Sequence, residues 1–191
     1  MSEDQETYNA LAPAHAYLVA IDPGSNAMGV AVFGGGVLVD TFTIKASAKV
    51  KDADERTWDM LRRVGMWRES LTNLPLSMMR ESTLAYEDPV YMTVQGQARP
   101  ISQLYRFVGH LDQWARDQGW KVYKYPVPDI KHGIVGTVSA SKVAVETVLR
   151  HELNLHDEVK TEHEWDAIAV GIYHLQKERV RDAEIRHETN I

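Results

Sequence analysis

The sequence predicts an α/β domain built on a mixed five-stranded sheet with helices on both faces. Three observations predict it. Three short apolar runs, two of them joined by a glycine turn, crowd residues 17–44. After them, segments of helical period alternate with further short apolar runs. The whole chain is 191 residues, one ordinary domain's worth.

Tyr17–Ile21 is a continuous apolar run that stops at Asp22-Pro23-Gly24, the pattern of a buried strand ended by a turn, and it leaves Asp22 at the strand end. Met28–Phe33 and Val37–Ile44 follow as two more strands, and Gly34-Gly35-Gly36 between them suits a hairpin. Between Asp54 and Leu71 the apolar residues Trp58, Leu61, Val64 and Leu71 recur at helical spacing. Thr83–Tyr86 is a brief fourth strand that delivers Glu87 at its end. Ile101–Gln118 reads as a second helix, with Leu104, Phe107, Val108, Leu111 and Trp114 on one face. Lys121–Tyr125 is the fifth strand, halted by Pro126 and Pro128. A helix from about Ser141 to Arg150, with Ser141 as its N-cap, precedes a last helix that starts near Glu164 and passes Leu175. The expected organisation is a mobile tail over 1–16, one domain over 17–179 and a frayed, charged tail over 180–191.

Composition removes several classes of function. No apolar stretch approaches the roughly 20 residues that cross a bilayer, so no membrane partner is expected. With no cysteine, disulfides and thiolate metal sites are impossible, and a cytoplasmic setting is the simplest one. The first residues are acidic and resemble neither a secretion signal nor a transit peptide. Neither a Walker loop nor a dinucleotide fingerprint occurs, which leaves nucleotide cofactors without support. His151 and His156 are five apart, so they point away from a common helix face and do not form a zinc-protease pair. The net charge of -6 is unusual for a nucleic-acid binder, but the balance is local. Residues 99–150 carry eight Lys and Arg against four Asp and Glu, and phosphate binding depends on where the cations stand.

Asp22 and Glu87 fall at strand ends, and Asp166 falls in the first turn of the last helix. Three carboxylates at element ends can converge, and such oxygen-rich clusters suit Mg²⁺ or Mn²⁺. Each also has a structural reading. An Asp before Pro-Gly is common in turns, an Asp in a helix's first turn complements the macrodipole, and Glu87-Asp88-Pro89 could be a solvated loop.

The motifs around these acids carry a resemblance. Ala20-Ile21-Asp22-Pro23-Gly24-Ser25 followed by Gly29 resembles the opening motif of the RuvC family of Holliday junction resolvases, nucleases of the ribonuclease H fold. Glu87, then Tyr91 and Gly96-Gln97-Ala98-Arg99, is similar to that family's second motif, with one extra residue, Pro89, between the acid and the aromatic. Lys131 and Lys142, with their flanking residues, match its paired lysines, and His163-Glu164-Trp165-Asp166-Ala167-Ile168-Ala169 resembles its final helix. The sugar kinase, actin and heat-shock ATPase superfamily shares only the opening pattern and normally needs two related halves.

The resemblance implies that Asp22, Glu87, His163 and Asp166 hold two Mg²⁺ ions, for which Mn²⁺ can substitute. His163 and Asp166, three residues apart, share one side of a helix turn. It further implies that Lys142 acts at the scissile phosphate, that Lys131 serves either catalysis or backbone affinity, and that Arg99 contacts DNA. Tyr91 would stack on bases at the junction, with burial in the core as its alternative. The implied protein is a homodimeric endonuclease that cuts four-way DNA junctions, in the cytoplasm of a bacterium or phage-infected cell or in an organelle. A broader nuclease for branched DNA and a non-catalytic junction-binding protein are the alternatives.

Overall fold

The computed structural model describes residues 17–70, 82–89, 98–155, 159 and 161–189. Strands β1 (Tyr17–Asp22), β2 (Ala27–Gly34), β3 (Val37–Lys45), β4 (Thr83–Asp88) and β5 (Lys121–Pro126) form one sheet in the order β3-β2-β1-β4-β5. Strands β1, β2 and β3 pair antiparallel, whereas β4 runs parallel to β1 and β5 runs parallel to β4. Gly35 and Gly36 close the β2–β3 hairpin at φ of 59° and 81°, a left-handed backbone that glycine adopts without a Cβ penalty.

The alternation of side chains along each strand divides the interior into two cores. Val19, Ile21, Val30, Val32, Leu84 and Tyr86 point to one face. There they meet Met60, Leu61 and Val64 of α1 (Ala53–Ser70) and Phe107, Leu111 and Ala115 of α2 (Ala98–Asp117). Leu18, Ala20, Ala31, Phe33 and Ala85 point to the other face. Their partners come from α3 (Val127–Val135), α4 (Lys142–Leu153) and α5 (Glu162–Thr189), including Ile130, Leu149, Trp165 and Ile168. Burial on both faces explains why the central strands read as unbroken apolar runs. This is the mixed sheet with helices on both faces that the sequence predicts.

Two stretches depart from expectation. Pro126 and Pro128 stop β5 as predicted, but they also open α3, a helix the apolar pattern did not reveal. Proline suits a first helical turn, where its missing N–H has no intrahelical partner to lose. The second is the length of α5, which continues to Thr189. Its solvent-exposed end is rich in Arg and Glu, which favour helix, and Arg181 pairs with Glu178 one turn away. Tyr91, residues 1–16 and residues 190–191 lie outside the described residues. Arg99 belongs to the first turn of α2, and only its backbone is described.

Candidate active site

The sheet register sets up the site. Ile21 of β1 pairs with Tyr86 of β4 in parallel, so the residues that follow, Asp22 and Glu87, leave the sheet side by side. On the other edge of β1, Asp22 is the register partner of Gly29. A Cβ built on Gly29 would stand 1.8 Å from the carbonyl oxygen of His163, so only a glycine lets the first turn of α5 rest on β2 here. That close approach carries His163 to Asp22, where Nδ1 and Oδ2 are 2.7 Å apart.

A second anchor holds the same turn. Glu164 is buried, with 5% of its surface exposed. Its carboxylate accepts hydrogen bonds from the hydroxyls of Thr41 and Thr43, both at 2.9 Å, and from Thr161 at 3.1 Å. The two threonines are two apart on β3 and so face the same side. A buried carboxylate satisfied by three hydroxyls is a rigid mount, because losing any of them would leave charge without partners. Sequence reasoning missed Glu164, whose only signal was its place between His163 and Asp166.

The lysine comes from α4. Ser141 caps that helix by accepting from the Ala144 N–H at 3.1 Å, which fixes Lys142 as the first helical residue. Its Nζ donates to Asp166 Oδ2 at 2.7 Å and to Glu162. Burial opposes the charge of Lys142, but its hydrogen bonds to Asp166 and Glu162 outweigh that and hold its pKa above the ordinary value. Glu162 responds in the opposite sense and is lowered by Lys142.

Charge within the group is poorly balanced. Burial, followed by repulsion from Asp22 and Asp166, pushes Glu87 up to about 7, and Lys142 and Lys131 only partly offset this. Asp166 is likewise raised, first by burial and then against the pull of Lys142. His163 is raised chiefly by its hydrogen bond to Asp22. Asp22, Glu87, His163 and Asp166 thus interact at one end of the sheet, and Lys131 of α3 lies within electrostatic range of Glu87. Crowded carboxylates with one imidazole are a hard donor set that suits a divalent cation. Among the described residues no three of these side chains close into a ready coordination shell. Asp22 is instead hydrogen-bonded to His163, and Asp166 is paired with Lys142.

The comparisons agree on one relationship. The family model described as crossover junction endodeoxyribonuclease RuvC matches residues 18–174. Among solved structures, Thermus thermophilus RuvC is similar with 24% identity and a TM-score of 0.64, covering 86% of this chain and 96% of that one. The same organism's RuvC in complex with a Holliday junction substrate aligns at 23% identity and a TM-score of 0.68, over 87% of this chain and 96% of that one. No curated protein matches the chain significantly.

Proposed function

Because the chain belongs to the crossover junction endodeoxyribonuclease RuvC family, we propose that it hydrolyses phosphodiester bonds at four-way DNA junctions. The observation that carries this reading is the meeting of Asp22, Glu87, His163 and Asp166 at the ends of β1 and β4 and the start of α5. Such a set sits naturally over a backbone phosphate at the rim of the sheet.

In this reading Asp22, Glu87, Asp166 and His163 hold Mg²⁺, which Mn²⁺ can replace, as a pair of ions. Held by these four side chains, divalent ions would supply charge neutralisation for the carboxylates and Lewis-acid activation of the attacking water and the departing oxygen. The protein's own share is positional and electrostatic. His163, hydrogen-bonded through Nδ1 to Asp22, has its ring orientation set before any ligand arrives. Lys142 holds Asp166 in place and presents a fixed positive charge to a non-bridging phosphate oxygen, where negative charge grows in the transition state. Lys131, one helix away, adds charge for the strand.

Resolving a junction takes two cuts related by near two-fold symmetry, so the working form we infer is a homodimer. The substrate is read through branched shape and phosphates, with Tyr91 and Arg99 proposed as further DNA contacts. Among the described residues no helix is long and apolar enough to cross a membrane.

The test is cleavage of an end-labelled four-way junction beside its linear duplex, in Mg²⁺ or EDTA, by wild type and Asp22→Asn. Paired, metal-dependent cuts on the junction alone, lost in the variant while binding survives, are expected. Equal cutting of forks and flaps would move the assignment to a general branched-DNA nuclease. Tight binding without cutting in either metal would leave a junction-binding protein.

A further inference from the structure

A basic cleft lies on the same end of the sheet as Asp22, outside the carboxylate cluster. It is walled by Asn26, Ser47, Lys51, Arg56 and the backbone between them, and it encloses about 320 Å³. Asn26 stands four residues beyond Asp22, in the turn that leaves β1. The Ala46 N–H donates to the Asn26 carbonyl at 2.8 Å, which ties the segment after β3 to that turn. The cleft and Asp22 are therefore built on one continuous piece of backbone.

Its charge is prearranged. Arg56 donates through Nη1 to Asn26 Oδ1 at 3.0 Å and through Nη2 to the Lys51 carbonyl at 2.9 Å. Both acceptors are neutral, so the guanidinium is fixed in place without losing its net charge. Its Nε is buried and lacks a hydrogen-bond partner among the described residues. Lys51 is exposed, and among the described residues neither cation forms an ion pair. Three of the neighbouring acids are engaged elsewhere. Asp52 accepts from the Asp54 and Glu55 amides at the start of α1, Asp54 pairs with Arg106, and Asp59 pairs with Arg63. A guanidinium held by neutral groups, beside an exposed ammonium and a serine hydroxyl, is a receptor for a phosphate dianion or diester.

We propose that this cleft is a second phosphate site, which seats a backbone phosphate of the strand next to the one being cut. The assignment to a DNA strand rests on the nuclease reading, whereas the anion chemistry of the cleft does not. Seating a neighbouring phosphate would fix the strand's register across Asp22 and leave the carboxylate cluster free for the bond that breaks.

The test uses the full chain and a fluorescent four-way junction, with affinity followed by anisotropy across a salt series in EDTA. Lys51→Ala is compared with wild type and with Lys121→Ala, a control at the start of β5 on the opposite end of the sheet. The slope of log affinity against log salt is expected to shrink by about 0.9 for Lys51→Ala and to stay unchanged for the control. A scan with single neutral methylphosphonate linkages should reveal one position where wild type is weakened and Lys51→Ala is not weakened further. With Mg²⁺, Lys51→Ala should raise KM for the junction, and Lys121→Ala should leave it unchanged.

An unaltered slope in a protein that binds and cuts junctions would overturn the phosphate site while leaving the nuclease reading intact. Conversely, a protein that cuts nothing yet shows both the slope change and the sensitive linkage keeps the site and loses the nuclease. Competition by inorganic phosphate at constant ionic strength, dependent on Lys51 and without any sensitive linkage, would assign the cleft to free phosphate and overturn the strand assignment.

Discussion

Replacing Gly29 with alanine tests how the site is held together. Gly29 has no positive φ, so alanine suits its backbone, and the whole cost comes from space. The new Cβ would lie 1.8 Å from the His163 oxygen and 2.3 Å from its carbonyl carbon, both backbone atoms that cannot swing aside. Ordinary contact requires β2 and α5 to separate by more than about an ångström. Overpacking of this kind costs about 1–3 kcal/mol of stability, read from the urea midpoint. Its effect on activity should be larger in proportion. His163 sits on the displaced turn, so its 2.7 Å bond to Asp22 breaks, and a misplacement of about 1 Å at a reacting centre lowers the rate about 10²-fold. Single-turnover cleavage of a labelled junction in Mg²⁺ measures that loss. The matched control is Gly65→Ala in α1, where the nearest atom is Trp114 Cζ2 at 4.0 Å. Alanine fits there and should stabilise the helix by up to about 1 kcal/mol with cleavage unchanged. Wild-type rates in Gly29→Ala would refute the claim that this contact sets the site.

Two further predictions concern pH, and they have opposite signs. Glu87 is raised from 4.5 to about 7 in the ion-free fold, so its folded form keeps a proton that the unfolded chain releases, and its penalty grows as pH rises through that window. In EDTA at pH 8, Glu87→Gln should exceed wild type in stability by on the order of 3 kcal/mol, with the gap closing towards pH 4.5. Mg²⁺ should stabilise wild type more than the variant, and an equal response would contradict the ligand role. His174 is buried, its Nδ1 lies 2.7 Å from the Tyr125 hydroxyl, and burial lowers it to about 4. Its contribution is intact above about 6.5 and declines as pH falls towards 4, again by on the order of 3 kcal/mol. Urea titrations at several pH values should show this decline in wild type and a flatter profile in His174→Phe; parallel profiles would refute it.

How much of this was legible depended on the range of the interaction. The strands were readable because a central strand buried on both faces has no polar interruptions, and Asp22 and Glu87 announced themselves by ending such runs. The i, i+3 spacing of His163 and Asp166 was also local. Helix α3 was hidden because proline both ends a strand and begins a helix, and only the tertiary setting chooses. The run past residue 179 was read as fraying because it lacks an apolar stripe, yet intrinsic propensity and the Arg181–Glu178 pair suffice on an exposed helix. Glu164 and Gly29 both stand inside the motifs, but what each does there could not be read. Glu164 depends on hydroxyls from Thr41 and Thr43, more than a hundred residues away. The role of Gly29 depends on which residue it faces across the strand pair and which helix passes over it.

The cluster draws on Asp22, Glu87 and the turn at His163–Asp166, three places far apart in the chain. Synthesis runs from the N-terminus and delivers that turn after every strand has emerged, so a growing chain holds two acids with no partner helix to align them. A chain that stops short of the last helix therefore never assembles the cluster.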